Sequence, residues 1–237
     1  MTKIEEGYRF GLIGWPVEHS KSPALFTAAY AGKYAYDLIG DPDFEHCWNT
    51  FIEGPYRSVN ITAPFKAPAA ARADFPDEAV QRMGAANILV KSPEGILAHN
   101  SDYLGVRELL KACVGRMHSV KVIGYGGAGK AAQAAAENLG FDTEVLRHHE
   151  IAGGAEADII IFTLPRAAEG TDRLRAKVLI EANYRDPAFG PGGIPVPEGC
   201  TYVPGTRWHL AQAITGYALM TGEEPDVEAM KKVAGKG

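Results

Sequence analysis

Gly124-Tyr125-Gly126-Gly127-Ala128-Gly129 follows the apolar run Val120-Lys121-Val122-Ile123 and precedes an alanine-rich stretch, Lys130 to Leu139. A strand, a glycine loop and a helix in that order are the setting in which a G-x-G-x-x-G spacing carries chemistry. Gly124 permits a tight turn, Gly126 lets the backbone approach a diphosphate, and Gly129 lets the helix pack close to the strand. Gly124, Gly126, Gly127, Ala128, Gly129 and Lys130 are therefore the expected contacts to a dinucleotide. Its phosphates would meet unpaired N–H groups and the positive end of the helix dipole. Gly140 stands where a left-handed helix terminus is expected. The plainer alternative is a glycine-rich turn with no ligand.

The next strand, Thr143 to Leu146, ends at Arg147-His148-His149. An acidic residue there would accept hydrogen bonds from a ribose 2′-hydroxyl, whereas an arginine accommodates a 2′-phosphate. Arg147 thus favours NADP, while Glu150 nearby leaves NAD open. A solvated surface arginine is the other reading of Arg147.

A second group of polar residues lies in the first half of the chain. His19-Ser20-Lys21-Ser22-Pro23 precedes a helix, with Pro23 suited to the first helical position and Ser22 to the N-cap. The same two hydroxyls, Ser20 and Ser22, could instead hold a carboxylate. In Arg57-Ser58-Val59-Asn60-Ile61-Thr62 polar and apolar residues alternate, so Asn60 and Thr62 share a face. Lys66 follows between apolar and proline neighbours. Asn87 and the run His99-Asn100-Ser101-Asp102 add an amide and a carboxylate, although Asp102 could equally cap a helix starting at Tyr103.

The elements that must position these residues alternate. Strands are expected at Phe10–Ile13, Tyr34–Leu38 and Arg57–Thr62, with helices at Pro23–Ala31, Asp43–Phe51, Ala67–Ala73 and Asp77–Met83. Asn87–Lys91 and Ile96–His99 read as a hairpin. After a helix over Tyr103–Cys113, strands recur at Val120–Ile123, Glu144–Leu146, Ile159–Phe162 and Val178–Glu181, with little room for a helix between Glu150 and Asp158. Pro187–Pro197 reads as irregular, and helices follow over Trp208–Met220 and from Pro225. The pattern specifies an α/β protein of two α/β domains joined near Asp102–Gly105: an N-terminal one with a mostly parallel sheet, and a Rossmann-type dinucleotide-binding domain, with a cleft between them.

Composition narrows the function. The 237 residues are 46% hydrophobic and 22% charged, as in ordinary globular proteins. A net charge of -5 with scattered Lys and Arg argues against nucleic acid as a partner. Thr2-Lys3-Ile4-Glu5-Glu6 lacks the apolar stretch of a signal peptide, and Ile159–Leu164 is too short to cross a bilayer. Cys47, Cys113 and Cys200 fit neither a disulfide framework nor a zinc site, which points to the cytoplasm, and the histidines have no metal-ligand spacing. No metal is expected.

Taken in order, His19-Ser20-Lys21-Ser22-Pro23, Asn60-Ile61-Thr62-Ala63-Pro64-Phe65-Lys66, Gly84-Ala85-Ala86-Asn87, Asn100-Ser101-Asp102, the glycine loop and Ala211-Gln212-Ala213 resemble the shikimate dehydrogenase family over nearly the whole chain. The resemblance implies NADPH-dependent reduction of 3-dehydroshikimate to shikimate, on the route to chorismate and aromatic amino acids, by a monomer or homodimer. It implies that Ser20 and Ser22 bind the substrate carboxylate, and that Asn60, Thr62, Asn87, Asp102 and Gln212 hold ring hydroxyls. It implies too that Tyr184 lies near the substrate, and that Lys66 with Asp102 carries proton transfer. Residues 1–104 would form the substrate domain, completed by 207–237, and 105–206 the nucleotide domain. The sequence departs from the family at Phe162-Thr163-Leu164-Pro165, where an asparagine-containing loop is usual. It departs again at Gly205-Thr206-Arg207-Trp208-His209-Leu210, where a more apolar, methionine-containing stretch is usual. Quinate or quinate/shikimate dehydrogenase using NAD, and a non-catalytic dinucleotide sensor, are the alternatives.

Overall fold

A computed structural model describes residues 7–234. Thr2–Glu6, where a signal peptide is not expected, lies outside the described residues, as do the last three. The chain forms two compact units, Met1–Ser101 with Ala213–Gly237, and Asp102–Gln212. The expected borders at 104/105 and 206/207 instead fall inside two helices, α5 (Ser101–Lys111) and α7 (Gly205–Thr221), each of which contributes residues to both units.

The first unit is built on a six-stranded sheet with the order β2-β1-β3-β5-β6-β4. Its strands are β1 (Arg9–Gly14), β2 (Ala35–Gly40), β3 (Tyr56–Ile61), β4 (Phe75–Pro76), β5 (Ile88–Ser92) and β6 (Gly95–His99). β1 pairs in parallel with β2 and β3, whereas β5 runs antiparallel to both β3 and β6. Because side chains alternate across a strand, Ile13, Val59 and Ile61 face one side. There they pack on Cys47, Trp48 and Phe51 of α2 (Phe44–Glu53) and on Ala69 and Ala70 of α3 (Lys66–Arg72). Phe10 faces the other side and meets Phe26 of α1 (Ser22–Ala29), with ring centres 5.1 Å apart. Two further helices, α4 (Glu78–Met83) and α8 (Val227–Ala234), complete the unit.

The second unit holds a five-stranded sheet, β11-β10-β9-β7-β8. β7 (Ser119–Ile123), β8 (Asp142–Leu146), β9 (Ala155–Phe162), β10 (Leu174–Glu181) and β11 (Thr201–Val203) all pair in parallel. Strands of such a sheet are buried on both faces and so read as continuous apolar runs. Ile159 and Ile161 pack with Ala132, Ala135 and Ala136 of α6 (Gly127–Asn138), while Ile160 and Phe162 face Ile151 and Phe189. Gly140 ends α6 at φ +83°. Its N–H reaches Glu137 O and that of Phe141 reaches Ala136 O, so the last carbonyls are satisfied. No helix lies between Leu146 and Ala155 among the described residues, as the short spacing there predicts. β4 and β11 were not anticipated; at two and three residues they are too short to carry a periodic pattern.

Candidate active site

In the first unit, β1 and β3 end at the same edge of the sheet. The antiparallel β5 therefore begins there and β6 ends there. Ligands of open α/β sheets bind outside the carboxyl ends of parallel strands. The loops after β1 and β3, before β5 and after β6 all meet at this edge. These loops carry Ser20, Thr62 and Asn87, and the helices that follow two of them begin with Ser22 and Lys66; Asn60 is one residue short of the end of β3.

The loop after β1 differs from expectation in one respect. Ser22 is not the N-cap of α1 but its first residue; Lys21 occupies the cap position without a side-chain bond. Ser20 performs the capping chemistry instead, its Oγ accepting from Ser22 N–H at 3.2 Å. Both serines are half-buried. Asn60 Oδ1 accepts from the Tyr36 hydroxyl at 2.8 Å, and Asn60 Nδ2 lies 3.5 Å from Asn87 O. Thr62 is tied to β1 by its N–H to Ile13 O.

Lys66 is the first residue of α3, and its carbonyl accepts from Ala86 N–H at 2.9 Å, linking it to the segment before β5. Asn87 is buried, and its Oδ1 accepts from Ser101 N–H at 2.7 Å. A side chain fourteen residues away thus caps the start of α5. Asp102 lies in the first turn of that helix, which begins two residues earlier than the expected Tyr103.

The glycine loop follows β7 at the carboxyl edge of the second sheet. Gly124 takes φ +100°, closed to most side chains. A Cβ on Gly129 would lie 2.1 Å from Gly124 O, so the helix and the turn touch there. Gly126 and Gly127 are exposed and have no heavy atom within 4 Å of an added Cβ. The open side of the loop thus coincides with the N-terminus of α6, where the first N–H groups have no intrahelical partner. Lys130 differs: its N–H is taken by Gly126 O, and its ammonium lies 5.7 Å from the centre of the Tyr125 ring. Thr163, in the atypical segment after β9, bonds Ile123 O through both N–H and Oγ1, closing the base of the loop. Arg147 follows β8, and the Glu150 carboxylate accepts from its N–H at 2.7 Å.

Tyr184 lies beyond the end of β10, stacked on His209 of α7, and Gln212 Nε2 is 2.9 Å from His209 Nδ1. Gly105 lets α5 and α7 approach until an added Cβ would lie 2.7 Å from Gln212 N. Trp208 Nε1 donates to Asp102 O at 3.1 Å. Asp102, His209 and Gln212 are therefore parts of one helix pair.

Sequence reasoning missed Tyr36, Tyr217 and His209. Their signal was the polar tip on an otherwise buried ring, which requires a partner. The Tyr217 hydroxyl donates to Ser22 O at 3.2 Å, and burial pushes the Tyr36 and Tyr217 phenols well up. A groove of about 510 Å³, lined by Ser119, Asp158, Arg175 and Lys177, lies at the opposite, amino edge of the second sheet. Its charged groups are solvated and partly paired with each other. No group of His, Cys, Asp and Glu suited to a metal, and no helix long and apolar enough to cross a membrane, occurs among the described residues.

Two α/β units, one with a Rossmann-type glycine loop and one with polar groups gathered at a sheet edge, make up the fold. The family model for the shikimate dehydrogenase substrate binding domain matches residues 12–89. Shikimate dehydrogenase (NADP(+)) of Thermus thermophilus is 31% identical over 148 residues, 58% of this chain and 54% of that protein. The aligned stretch thus spans about half of that relative. The Bacillus licheniformis shikimate dehydrogenase (NADP(+)) is 26% identical over 94% of this chain and 95% of its own. The crystal structure of the Thermus thermophilus enzyme with NADP(H) and shikimate has a similar fold, with a TM-score of 0.80 at 23% identity, covering 97% of this chain and 99% of that one. The chain is thus similar to shikimate dehydrogenases, in its first unit through the family model and along nearly its whole length through the Bacillus licheniformis protein.

Proposed function

We propose that the chain is a cytoplasmic shikimate dehydrogenase, reducing 3-dehydroshikimate to shikimate reversibly with NADPH. The observation that carries this reading is the sheet edge in the first unit. There Ser20, Ser22, Asn60, Thr62, Lys66 and Asn87 are fixed by backbone bonds, with side chains that suit a polyhydroxylated carboxylic acid. Ser20 and Ser22 offer hydroxyls to a carboxylate. Asn60, Thr62 and Asn87 offer amide and hydroxyl groups to ring hydroxyls; Asp102, Tyr184 and Gln212 are the further substrate contacts of this reading. Residues 1–104 with 207–237 would bind the substrate, and residues 105–206 the cofactor.

The residues present fit a dinucleotide. Open space at Gly126 and Gly127 lets phosphate oxygens reach the N-terminus of α6. The Glu150 carboxylate is held by the backbone of its own turn, which leaves Arg147 as the residue suited to a 2′-phosphate and favours NADP over NAD. When bound, the nicotinamide supplies or accepts the hydride. Negative charge then develops on the ketone oxygen, and the Lys66 ammonium donates its proton there; in the reverse direction neutral Lys66 takes the hydroxyl proton. Asp102 shares this proton transfer with Lys66.

The test is purified protein with shikimate or quinate, each against NADP and NAD, followed by absorbance of the reduced nicotinamide. NADP-linked oxidation of shikimate is expected. Preferential quinate oxidation with NAD would make it a quinate dehydrogenase, and no turnover with any pair would make it a dinucleotide sensor. Sedimentation distinguishes a monomer from a homodimer.

A further inference from the structure

We infer that Tyr36 is a positioning residue: its hydroxyl anchors the Asn60 amide in the orientation that Asn87 O selects, so that Nδ2, and not Oδ1, is offered to the substrate. The inference rests on Asn60 being a substrate contact, as proposed above.

Tyr36 and Asn60 lie on the two strands that flank β1. Tyr36 is in register with Phe10, and Asn60 with Leu12, so all four side chains leave the same face of the sheet. The Tyr36 ring is held by other rings, with Phe26 at 4.7 Å and Tyr217 at 6.5 Å between centres. A ring held in this way places its hydroxyl with little freedom, 2.8 Å from Asn60 Oδ1.

The other end of the amide faces Asn87 O at 3.5 Å, and that carbonyl also accepts from Ile61 N–H at 2.8 Å. A carbonyl can only accept. Turning the Asn60 amide over would set Oδ1 against Asn87 O, two acceptors face to face, whereas the Tyr36 hydroxyl could donate to Oδ1 or accept from Nδ2. The Asn87 carbonyl thus selects the orientation, and the Tyr36 hydroxyl, by donating to Oδ1, holds the amide in it. Asn60 Nδ2 carries two hydrogens; one leans towards Asn87 O, and the second is available to a ligand oxygen. Asn60 therefore acts as a donor, and the ligand hydroxyl it meets must accept.

Tyr36→Phe, Asn60→Ala and the double variant test this with shikimate and NADP. Tyr36→Phe should raise KM about tenfold, the scale of one lost hydrogen bond, with kcat within about twofold. On the Asn60→Ala background the same change should move KM by less than about twofold, because Tyr36 acts through Asn60. A wild-type KM in Tyr36→Phe, or an undiminished effect on the Asn60→Ala background, overturns the inference. If wild-type protein does not oxidise shikimate at all, the functional reading fails separately. The side-chain amide resonances of Asn60 in labelled protein then decide: Tyr36→Phe should displace that pair, and an unmoved pair overturns the inference.

Discussion

The imidazole of His209 lies flat against the phenol ring of Tyr184, with ring centres 4.2 Å apart and planes 11° from parallel. The same imidazole has its Nδ1 2.9 Å from Gln212 Nε2. One ring therefore touches two proposed substrate contacts, one following β10 and one on α7. Stacking orients the phenol, and the ring nitrogen orients the amide.

These two contacts can be separated by substitution. His209→Phe keeps a flat ring for Tyr184 and removes the acceptor for Gln212. His209→Asn keeps a polar atom near the place of Nδ1 and removes the ring. Each should raise the KM for shikimate by about three- to tenfold, with kcat less affected, since each loses one modest interaction. Combining His209→Phe with Gln212→Ala should add little to Gln212→Ala alone. Steady-state rates at saturating NADP measure this, and wild-type KM values in both single variants would rule it out.

Lys66 is the first residue of α3, in the turn where the helix dipole is positive. Helix stability favours anions at that position, and so does not account for this lysine. Lys66→Ala should fold with a Tm within a few degrees of wild type. Its kcat should fall by about 10²- to 10⁴-fold with a small change in KM, the loss typical of a removed general acid. Near-normal turnover in a folded variant would remove Lys66 from the chemistry.

The second unit was legible because each of its signals is local. Ile159–Phe162 is apolar without alternation because β9 is covered on both faces, and the glycine spacing is set within one turn. The first unit was less so. Its decisive bonds, Tyr36 to Asn60 and Asn87 to Ser101, join residues 24 and 14 positions apart. The first depends on the strand order β2-β1-β3, which spacing does not reveal. Ser22 was misplaced for a smaller reason. Pro23 suits either of the first two helical positions, and the bond from Ser22 N–H to Ser20 Oγ moves the start of α1 one residue earlier.

The glycine loop separates packing from binding. Ala at position 126 meets no heavy atom, and the Gly126 backbone, at φ -76° and ψ -167°, suits any residue. Ala at 129 meets the Gly124 carbonyl, which is backbone and cannot swing aside. Gly126→Ala should therefore keep the wild-type Tm while raising the KM for NADP. Gly129→Ala should lower Tm by several degrees, consistent with overpacking that typically costs about 1–3 kcal/mol. Thermal melts without cofactor and NADP titrations check both, and equal melting of the two variants would contradict the geometry.

Asp158 should make stability depend on acid. Its carboxylate accepts from the Lys177 ammonium at 2.7 Å, then from His118 N–H at 2.8 Å and Ser119 N–H at 3.2 Å. These bonds hold its pKa well below the usual carboxylate range, with Lys177 the largest cause. A carboxyl whose pKa is lower folded than unfolded stabilises the fold above its unfolded value, about 3.9, and loses that contribution as pH falls towards the folded value. Asp158→Asn should thus melt below wild type at neutral pH, and the gap should close progressively below about pH 4. Lys177→Met should narrow the same window by weakening the pull on the carboxyl. Melting curves from neutral pH down to about pH 2 measure both, and a gap that stays constant across that range would show that ionisation of Asp158 contributes nothing.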